Sequence, residues 1–253
     1  MKFCKEKFIK MQKIGKFGKI LLNDLASLVK PGINTKILDD YAMNFIKKNN
    51  LKASCLGYKG KGKTPYPAAI CTSVNHVVCH GIPSENHVLK EGDILSIDLV
   101  VAKDNMHADT CLSLIVGQKT SLEKQNLVNL TKKAMEIGIQ AIKINEDISI
   151  IGNAIEKFVK NFKINHGIVE DYCGHGIGEK MHEDPYINHV ATVPTGVLIK
   201  PGMFFTVEPM ITNGTNQIRL LNDDWTVITK DYSDSAHFEH TIAITENGYE
   251  VLT

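Results

Sequence analysis

The sequence predicts an α+β fold in which helices cover a central antiparallel sheet that two related halves share. Segments with helical periodicity alternate in blocks with extended apolar segments, in the order helices, strands, helices, strands. Short motifs from the first half recur in the same order in the second half. The 253 residues are 43% hydrophobic and 23% charged, which is the composition of a globular protein with a large core.

Two amphipathic helices open the chain. Apolar residues recur at helical spacing over 6–29, where Pro31-Gly32 ends the segment, and a second apolar face runs through 36–49. Seven of the first twenty residues are lysines, which would suit a targeting peptide, but the apolar stretch that a secretory signal needs is absent from the sequence. We therefore interpret these lysines as the solvated face of the first helix.

Apolar runs and their spacing predict the other elements. Ile94, Leu95 and Ile97 mark a strand buried on both faces, and Lys103-Asp104-Asn105 is typical of a tight hairpin turn. Extended segments are predicted near 68–79, 93–102 and 106–116, helices over 122–143 and 149–162, and further extended segments near 203–211, 225–230, 237–245 and 249–253.

An internal repeat links the two halves. The segment from Lys90-Glu91-Gly92 to Ile97-Asp98 has a counterpart from Lys200-Pro201-Gly202 to Val207-Glu208, and a His-Gly-Ile triplet begins at both His80 and His175. Matches in the same order indicate pseudo-twofold symmetry, and a site on such an axis would take equivalent ligands from both halves. Because no low-complexity linker separates the halves, we predict one catalytic domain, 1–253, with halves of about 1–118 and 119–253.

Charge and cysteine usage exclude several classes of protein. The 29 basic and 28 acidic residues give no overall field for nucleic acid or membrane, and Arg219 is the only arginine available for bidentate phosphate recognition. No apolar run reaches the ~18 residues of a membrane span. The six cysteines form no C-x-x-C pair, so we expect no structural zinc site, and without a signal sequence we interpret them as reduced thiols of a cytoplasmic protein. We expect a monomer that binds neither DNA nor membrane, because no heptad pattern indicates assembly.

Four acids stand where a lone carboxylate is costly to bury. Asp98 ends an apolar strand, and the following hairpin turn returns the chain to Asp109, so the two side chains can lie side by side. Glu208 follows a second apolar run in the same way, and Glu239 lies in a third. Any one of these acids alone is better explained as a strand-end salt bridge or cap.

All four acids together, beside two His-Gly motifs, favour a metal centre. Four carboxylates and the imidazole of His175 suit two divalent cations, because carboxylates can bridge ions held about 3.5–4 Å apart with a bridging water as nucleophile. The pattern therefore predicts a metal-dependent hydrolase.

Several motifs resemble those of the type I methionine aminopeptidases, which belong to peptidase family M24 and have the pita-bread fold. The likeness runs from about residue 5 to the C-terminus, and the motifs are specific to the family in combination, whereas a lone G-H-G-I-G is not. The motifs are Thr72-Ser73-Val74-Asn75, Cys79 to Pro83, Gly92-Asp93 to Asp98, His107 to Thr110, Cys173 to Gly178, Glu208-Pro209-Met210 and Glu239-His240-Thr241.

The resemblance implies a role for each matching acid. Asp98 would chelate one metal, His175 and Glu208 would bind the other, and Asp109 and Glu239 would bridge both. Glu208 would also manage the proton of the bridging water. The metals would be Co, Mn, Fe or Zn, because a ligand set of this kind accepts several ions.

Two histidines are implied on the substrate side. His182 resembles the histidine that contacts the scissile carbonyl and its oxyanion, and His80 resembles the one that contacts the amide nitrogen of that bond. Position alone would favour ordinary loop histidines for both. That interpretation is kept for His76, His87, His107, His166, His189, His237 and His240, the last being adjacent to a ligand.

A methionine pocket needs apolar walls and accommodates sulfur–aromatic contacts. The chain departs from the family at Met181, where an aromatic is more frequent, and at Lys59 to Thr64, a long Gly/Lys stretch that we interpret as a solvated loop. Backbone oxygens of Asn75, Val77 and Ser235 would hold a monovalent cation, Na or K. The pocket residues implied by the resemblance are Cys55, Tyr58, Tyr66, Met181 and Trp225.

The implied activity is removal of the N-terminal methionine from nascent polypeptides with a small second residue, by attack of a metal-bridged water on the first peptide bond. A proline-specific aminopeptidase or prolidase is the enzyme alternative, but those relatives usually carry an additional N-terminal domain, and the first helix here begins almost at Met1. A catalytically dead binding protein of the same fold would have lost ligands, and all five are present. The lysines of the first helix and of 59–63 suggest a transient ribosome contact.

Overall fold

Helices and strands alternate in blocks in the computed structural model, which describes residues 4–60, 64–162 and 166–253. The helices of these residues all coincide with predicted helices, although the third ends at Gln140 rather than at 143. None of them combines the length and apolarity needed to traverse a bilayer. They are α1 (Lys5–Leu28), α2 (Thr35–Lys48), α3 (Leu122–Gln140) and α4 (Ile150–Lys160).

Side-chain caps begin two of the helices. The Asn34 side chain accepts a hydrogen bond from the backbone N–H of Ile37 at the start of α2, and the Ser121 hydroxyl accepts one from Lys124 at the start of α3. Each cap satisfies a donor that has no partner inside the helix. Helix α1 has no side-chain cap, so its stability comes from the apolar face that it buries.

Most strands join one large sheet. In chain order the strands are β1 (Lys52–Ala53), β2 (Ile70–Val74), β3 (Val77–Cys79), β4 (Ile94–Lys103), β5 (Met106–Ile115), β6 (Gly167–Ile168), β7 (Gly174–Gly176), β8 (Glu183–Ile187), β9 (Phe204–Val207), β10 (Met210–Thr212), β11 (Ile218–Leu220), β12 (Val227–Thr229), β13 (Ser235–His237), β14 (Glu239–Thr245) and β15 (Gly248–Val251). In the described part of the chain this sheet has nine strands: seven follow the order β1-β4-β5-β14-β9-β7-β8, while β2 lies beside β4 and β15 beside β14.

The β4–β5 hairpin determines how the first two acids meet. A two-residue turn closes it at Asp104-Asn105, where both residues have positive φ angles of 52° and 59°. Asp98 pairs with Cys111 and Val100 pairs with Asp109, so the two aspartates are diagonal neighbours on one face of the sheet. The predicted side-by-side arrangement is confirmed, with a diagonal offset.

Two apolar cores lie between the helices and the sheet. One packs α1 and α2 on β4 and β5, with Met11 and Leu99 among its buried members. The other packs α3 and α4 on β9 and β14, with Leu127 and Phe205 among its members. Strand β14 pairs with β5 on one side and with β9 on the other, so it joins the two parts of the sheet. The duplication of the two halves stays a prediction.

The sequence patterns did not predict several of the short strands. Strands β1, β6, β7, β8, β11 and β13 have two to five residues each. Strand β7 reads Gly-His-Gly and β8 contains Pro185, neither of which is typical of a strand in isolation. Their extended form depends on pairing with neighbouring strands, which a local pattern does not record.

Candidate metal centre and substrate pocket

Five adjacent positions across the sheet each supply one of the predicted ligands. Asp98 lies on β4, Asp109 on β5, Glu239 at the start of β14, Glu208 directly after β9, and His175 on β7. The order of these strands in the sheet is β4-β5-β14-β9-β7, so residues far apart in the chain become neighbours. The sheet thus brings all five side chains to one region of the molecule.

Short distances join the members of this group. The His175 Nε2 atom is 3.4 Å from Glu208 Oε1 and 3.9 Å from Asp109 Oδ2. One ligand atom each from Asp109, His175 and Glu239 lies within 4.8 Å of the others, which is close enough to hold one ion. Asp98 joins the group as the diagonal neighbour of Asp109.

Burial makes the carboxyl groups of this cluster reluctant to ionise. It raises the pKa of Asp98 to about 7 and that of Glu208 to about 8. Burial, followed by repulsion from the neighbouring acids, raises the pKa values of Asp109 and Glu239 well above the usual range. Burial also lowers the pKa of His175 to about 3, so its imidazole is neutral and able to bind a metal.

The residues of the cluster fit divalent metal. Asp109 Oδ1 and Glu239 Oε1 are buried without a hydrogen-bond partner. Across residues 4–60, 64–162 and 166–253, no lysine or arginine forms an ion pair with any of the four acids, and His175 is the only basic side chain within 4.0 Å of them. Buried carboxylates without partners are costly, and cations would stabilise them. An oxygen-rich set with one imidazole is suited to several divalent ions.

The two glycines beside His175 have a steric reason. A Cβ on Gly174 would collide with the backbone oxygen of Thr206, and one on Gly176 would collide with that of Asp184. The His175 Nδ1–H donates to the Gly176 carbonyl at 3.0 Å, so the Nε2 lone pair is left facing the acids. The Gly-His-Gly motif therefore allows close strand pairing and orients the imidazole.

Glu208 is held from two directions. The Thr206 hydroxyl donates to Glu208 Oε1 at 2.6 Å, and the backbone N–H of Glu208 donates to His189 Nε2 at 3.1 Å. His189 is 3% exposed. The sequence had marked it only as an ordinary satisfied histidine, and its distance from Glu208 in the chain offered no signal of this contact.

The two histidines predicted to lie on the substrate side, His80 and His182, are beside the cluster. The ring centroids of His182 and His175 are 4.3 Å apart, and the Nδ1 atom of His182 is 2.7 Å from the Tyr58 hydroxyl. His80 has a positive φ of 57° and packs edge-on against Tyr172 and Trp225, at 5.3 Å and 6.2 Å between ring centroids. Burial lowers the pKa of His80 to about 4, so this ring is neutral near physiological pH.

A cluster of apolar side chains adjoins these histidines. The five predicted pocket residues fall in one cluster, together with Ala68, Cys71, Val100 and Ile82, which sequence reasoning did not select. The Tyr66 hydroxyl donates to the carbonyls of Ile70 and Gly81, and the Trp225 indole N–H donates to Thr64 at 2.9 Å. These bonds fix the walls around the long loop, whose residues 61–63 lie outside the described part of the chain.

The residues expected to hold a monovalent cation are partly brought together. The Ser235 backbone N–H donates to the Asn75 carbonyl at 2.9 Å, and Val77 begins strand β3 two positions after Asn75. Lys124 Nζ donates to the Asn75 side-chain oxygen at 2.8 Å and lies 3.7 Å from Asp234. The ammonium group of Lys124 therefore lies beside the predicted monovalent-cation site.

Known proteins share both the fold and this set of elements. A model of metallopeptidase family M24 matches residues 9–246, and the chain belongs to this family. The methionine aminopeptidase of Escherichia coli (strain K12) is 42% identical over 248 residues, which cover 96% of this chain and 90% of that relative. A crystal structure of methionine aminopeptidase from Rickettsia prowazekii has a TM-score of 0.93 at 42% identity and covers 100% of this chain and 99% of that one. Within the family, the chain therefore groups with the methionine aminopeptidases.

A more distant structure shares the fold alone. The prolidase from Pyrococcus furiosus has a TM-score of 0.74 at 19% identity, and the match covers 99% of this chain but 64% of the prolidase. The predicted pita-bread fold and family membership are both confirmed. Membership of a metallopeptidase family implies that the chain is a hydrolase that uses divalent metal.

Proposed function

We propose that this chain removes the N-terminal methionine from new polypeptides whose second residue is small. The single observation that carries the proposal is the group of five candidate ligand side chains on adjacent strands beside an apolar cluster. The relatives named methionine aminopeptidases support it, because they match nearly the whole chain. The activity would take part in the maturation of newly made proteins.

Five side chains would hold two divalent ions. Asp98 would chelate one ion, His175 and Glu208 the other, and Asp109 and Glu239 would bridge them. Bound ions of this kind acidify water and polarise a peptide carbonyl. The ions would be Co, Mn, Fe or Zn, because carboxylates with one imidazole accept all four.

Glu208 would hold a proton during the reaction. Its Oε1 atom accepts from Thr206, which leaves Oε2 free to take up or give back a proton. Without an ion, burial raises the pKa of Glu208 to about 8, so its carboxylate has a raised affinity for a proton and for a cation. We propose that His182 donates a hydrogen bond to the scissile carbonyl and that His80 contacts the amide nitrogen of the same bond.

The pocket would select methionine by its shape and by its contacts with a polarizable thioether. Cys55, Tyr66 and Trp225 are buried, while Tyr58 and Met181 complete an apolar wall. A flexible thioether packs well against aromatic rings and against another thioether, and Met181 would supply the second kind of contact. The free α-amine of the substrate would be bound at the metal centre, which restricts cleavage to the first residue of a polypeptide.

Three further expectations belong to this proposal. Asn75, Val77 and Ser235 would offer backbone oxygens to a Na or K ion. The chain would act as a cytoplasmic monomer. The exposed lysines of α1, among them Lys13 and Lys16, would make transient contact with the ribosome.

Release of methionine from short peptides tests the proposed function. Loaded in turn with Mn, Fe or Co, the purified chain should release methionine from Met-Ala-Ser and should release nothing from an Xaa-Pro dipeptide. Glu208→Gln keeps the size of the side chain but removes its charge, so it should abolish turnover and lower the metal content. Equal or faster cleavage of the proline dipeptide would overturn the methionine assignment, and a fully active Glu208→Gln chain would overturn the centre.

A further inference from the structure

Tyr58, one of the predicted pocket residues, forms a hydrogen bond with His182, which lies beside the candidate metal centre. The Tyr58 hydroxyl lies 2.7 Å from His182 Nδ1, and the two rings meet edge-on with centroids 5.3 Å apart. Across residues 4–60, 64–162 and 166–253, Tyr58 is the only group that forms a hydrogen bond with the His182 ring. Whatever proton arrangement His182 adopts is therefore decided at this contact.

The partner of Nδ1 determines which ring nitrogen carries the hydrogen. A neutral imidazole has one N–H. If the partner of Nδ1 donates a hydrogen bond, the ring hydrogen is on Nε2; if the partner accepts one, the ring hydrogen is on Nδ1. His175 shows the second case, because its Nδ1 faces the Gly176 carbonyl, which only accepts. A phenol hydroxyl can donate, so Tyr58 offers His182 the opposite arrangement.

We propose that Tyr58 is a positioning residue, whose hydroxyl donates to His182 Nδ1 and so holds His182 as the Nε2–H tautomer. Two adjacent histidines, with rings 4.3 Å apart, then carry opposite tautomers. His175 presents a bare nitrogen to a metal, whereas His182 presents an N–H. This inference rests on the proposed function in one respect, since the N–H of His182 is the group that would donate to the scissile carbonyl.

The backbone around Tyr58 is anchored well enough for such a role. Its N–H donates to the Cys55 carbonyl at 3.0 Å, and its own carbonyl accepts from the Tyr66 N–H at 2.9 Å. The Gly57 N–H donates in turn to the Tyr66 carbonyl at 2.8 Å, which closes the base of the long loop. The Tyr58 ring also packs against Trp225, at 6.3 Å between centroids. Tyr58 is thus held by the same wall that would receive the methionine side chain.

Nuclear magnetic resonance of the histidine rings tests the tautomer directly. The chain, labelled with ¹⁵N in its 10 histidines and loaded with diamagnetic Zn²⁺, is examined at mildly alkaline pH, where free imidazoles are neutral. The His182 signals are assigned as those lost in His182→Gln. We expect the two-bond correlation pattern of an Nε2–H tautomer, replaced in Tyr58→Phe by an Nδ1–H or mixed pattern. Any other pattern in the wild type, or an unchanged pattern in Tyr58→Phe, overturns the proposal.

Kinetics provide the second arm of the experiment. Tyr58→Phe keeps the ring that lines the pocket, so kcat for methionine release should fall about tenfold to a hundredfold while KM stays within about twofold. Tyr41→Phe is the matched control, because it removes a hydroxyl that bonds Asp24 on the surface, and it should leave both constants unchanged. A rise in KM with kcat unchanged would assign the hydroxyl to the pocket alone and overturn the proposal. A wild-type chain without methionine release would instead overturn the proposed function, while the resonance arm still decides the role of Tyr58.

Discussion

Glu208 illustrates how firmly the structure holds one side chain of the candidate site. Its carboxylate accepts from Thr206 and its backbone N–H donates to His189, so both ends of the residue are fixed. A buried N–H left without an acceptor costs about 1–3 kcal/mol, and the chain would move to satisfy it. The His189 ring therefore contributes to the position of Glu208 through the main chain.

Replacing His189 tests that contribution. His189→Phe keeps an aromatic ring but removes the acceptor, so we expect kcat/KM for methionine release to fall about tenfold to a hundredfold and metal binding to weaken. His189→Gln can still accept a hydrogen bond and should retain more activity than His189→Phe. His87→Gln, at an exposed loop position, serves as the control. Equal activity of the two His189 variants would show that the acceptor is unimportant.

The identities of the five candidate ligands were predictable from the sequence, but their contacts were not. Asp98 and Glu208 stand out because acids rarely follow runs of buried apolar residues, and His175 stands out because its His-Gly-Ile triplet repeats the one that begins at His80. The contact of His189 with Glu208, and that of Tyr58 with His182, joins residues far apart in the chain. Local patterns carry no information about such pairs, since the pairs depend on how strands and loops pack.

Helix α1 shows how closely an element can approach its neighbours when it uses glycine. Gly15 and Gly18 both face the interior, one turn apart. A Cβ on Gly15 would lie 2.5 Å from the Leu252 backbone oxygen, whereas one on Gly18 would meet side chains at 3.5 Å or more. Of these two positions, only Gly15 must lack a side chain for the helix to pack as it does.

Alanine at these two positions gives a matched pair. Gly15→Ala should destabilise the chain by about 1–3 kcal/mol, because backbone atoms of Leu252 must move to make room. Gly18→Ala should stabilise it by about 0.5–1 kcal/mol, because alanine lowers the entropy lost on helix formation. Urea unfolding monitored by circular dichroism measures both changes. Indistinguishable midpoints for the two variants would contradict the packing described for α1.

The long elements were predicted, whereas several of the short strands were not. The apolar face of α1 and the buried residues of β4 and β5 repeat often enough to give a clear period. Strands β7 and β8 are short and contain Gly and Pro, and β7 pairs with β9 while β8 pairs with β7. Sequence periodicity thus identified the scaffold of the candidate site, while the strand that carries His175 could be placed only by its neighbours.

The molecule as a whole tolerates four acids in its interior only by neutralising them. In the metal-free chain, burial raises the pKa of Asp98 to about 7 and that of Glu208 to about 8. The folded chain then binds protons more tightly than the unfolded chain, whose carboxyl pKa values are about 4. The stabilisation that comes from this tighter proton binding is complete below about pH 4, and it is lost as the pH rises through about 7 to 8. Metal would take over the same role.

Thermal unfolding with and without metal tests this view. The Tm of the metal-free chain should fall between about pH 5 and pH 8, and Mn²⁺ should restore it at the upper end. An excess of 100 times the dissociation constant would stabilise the folded state by about 2.7 kcal/mol. The increase in Tm should be larger at pH 8 than at pH 5, because protons compete with the ion at acidic pH. A metal effect that does not depend on pH would contradict the role assigned to the buried carboxyls.

Strand β14 has a consequence for how the chain is made. It lies between β5 and β9 in the sheet and carries Glu239, yet it follows both strands in the chain and so leaves a ribosome after them. Before β14 is made, the edges of β5 and β9 that it will cover are open to pairing with other chains, and the proposed ligand set lacks Glu239. Insertion of β14 would therefore join the two parts of the sheet and complete the proposed ligand set in the same step.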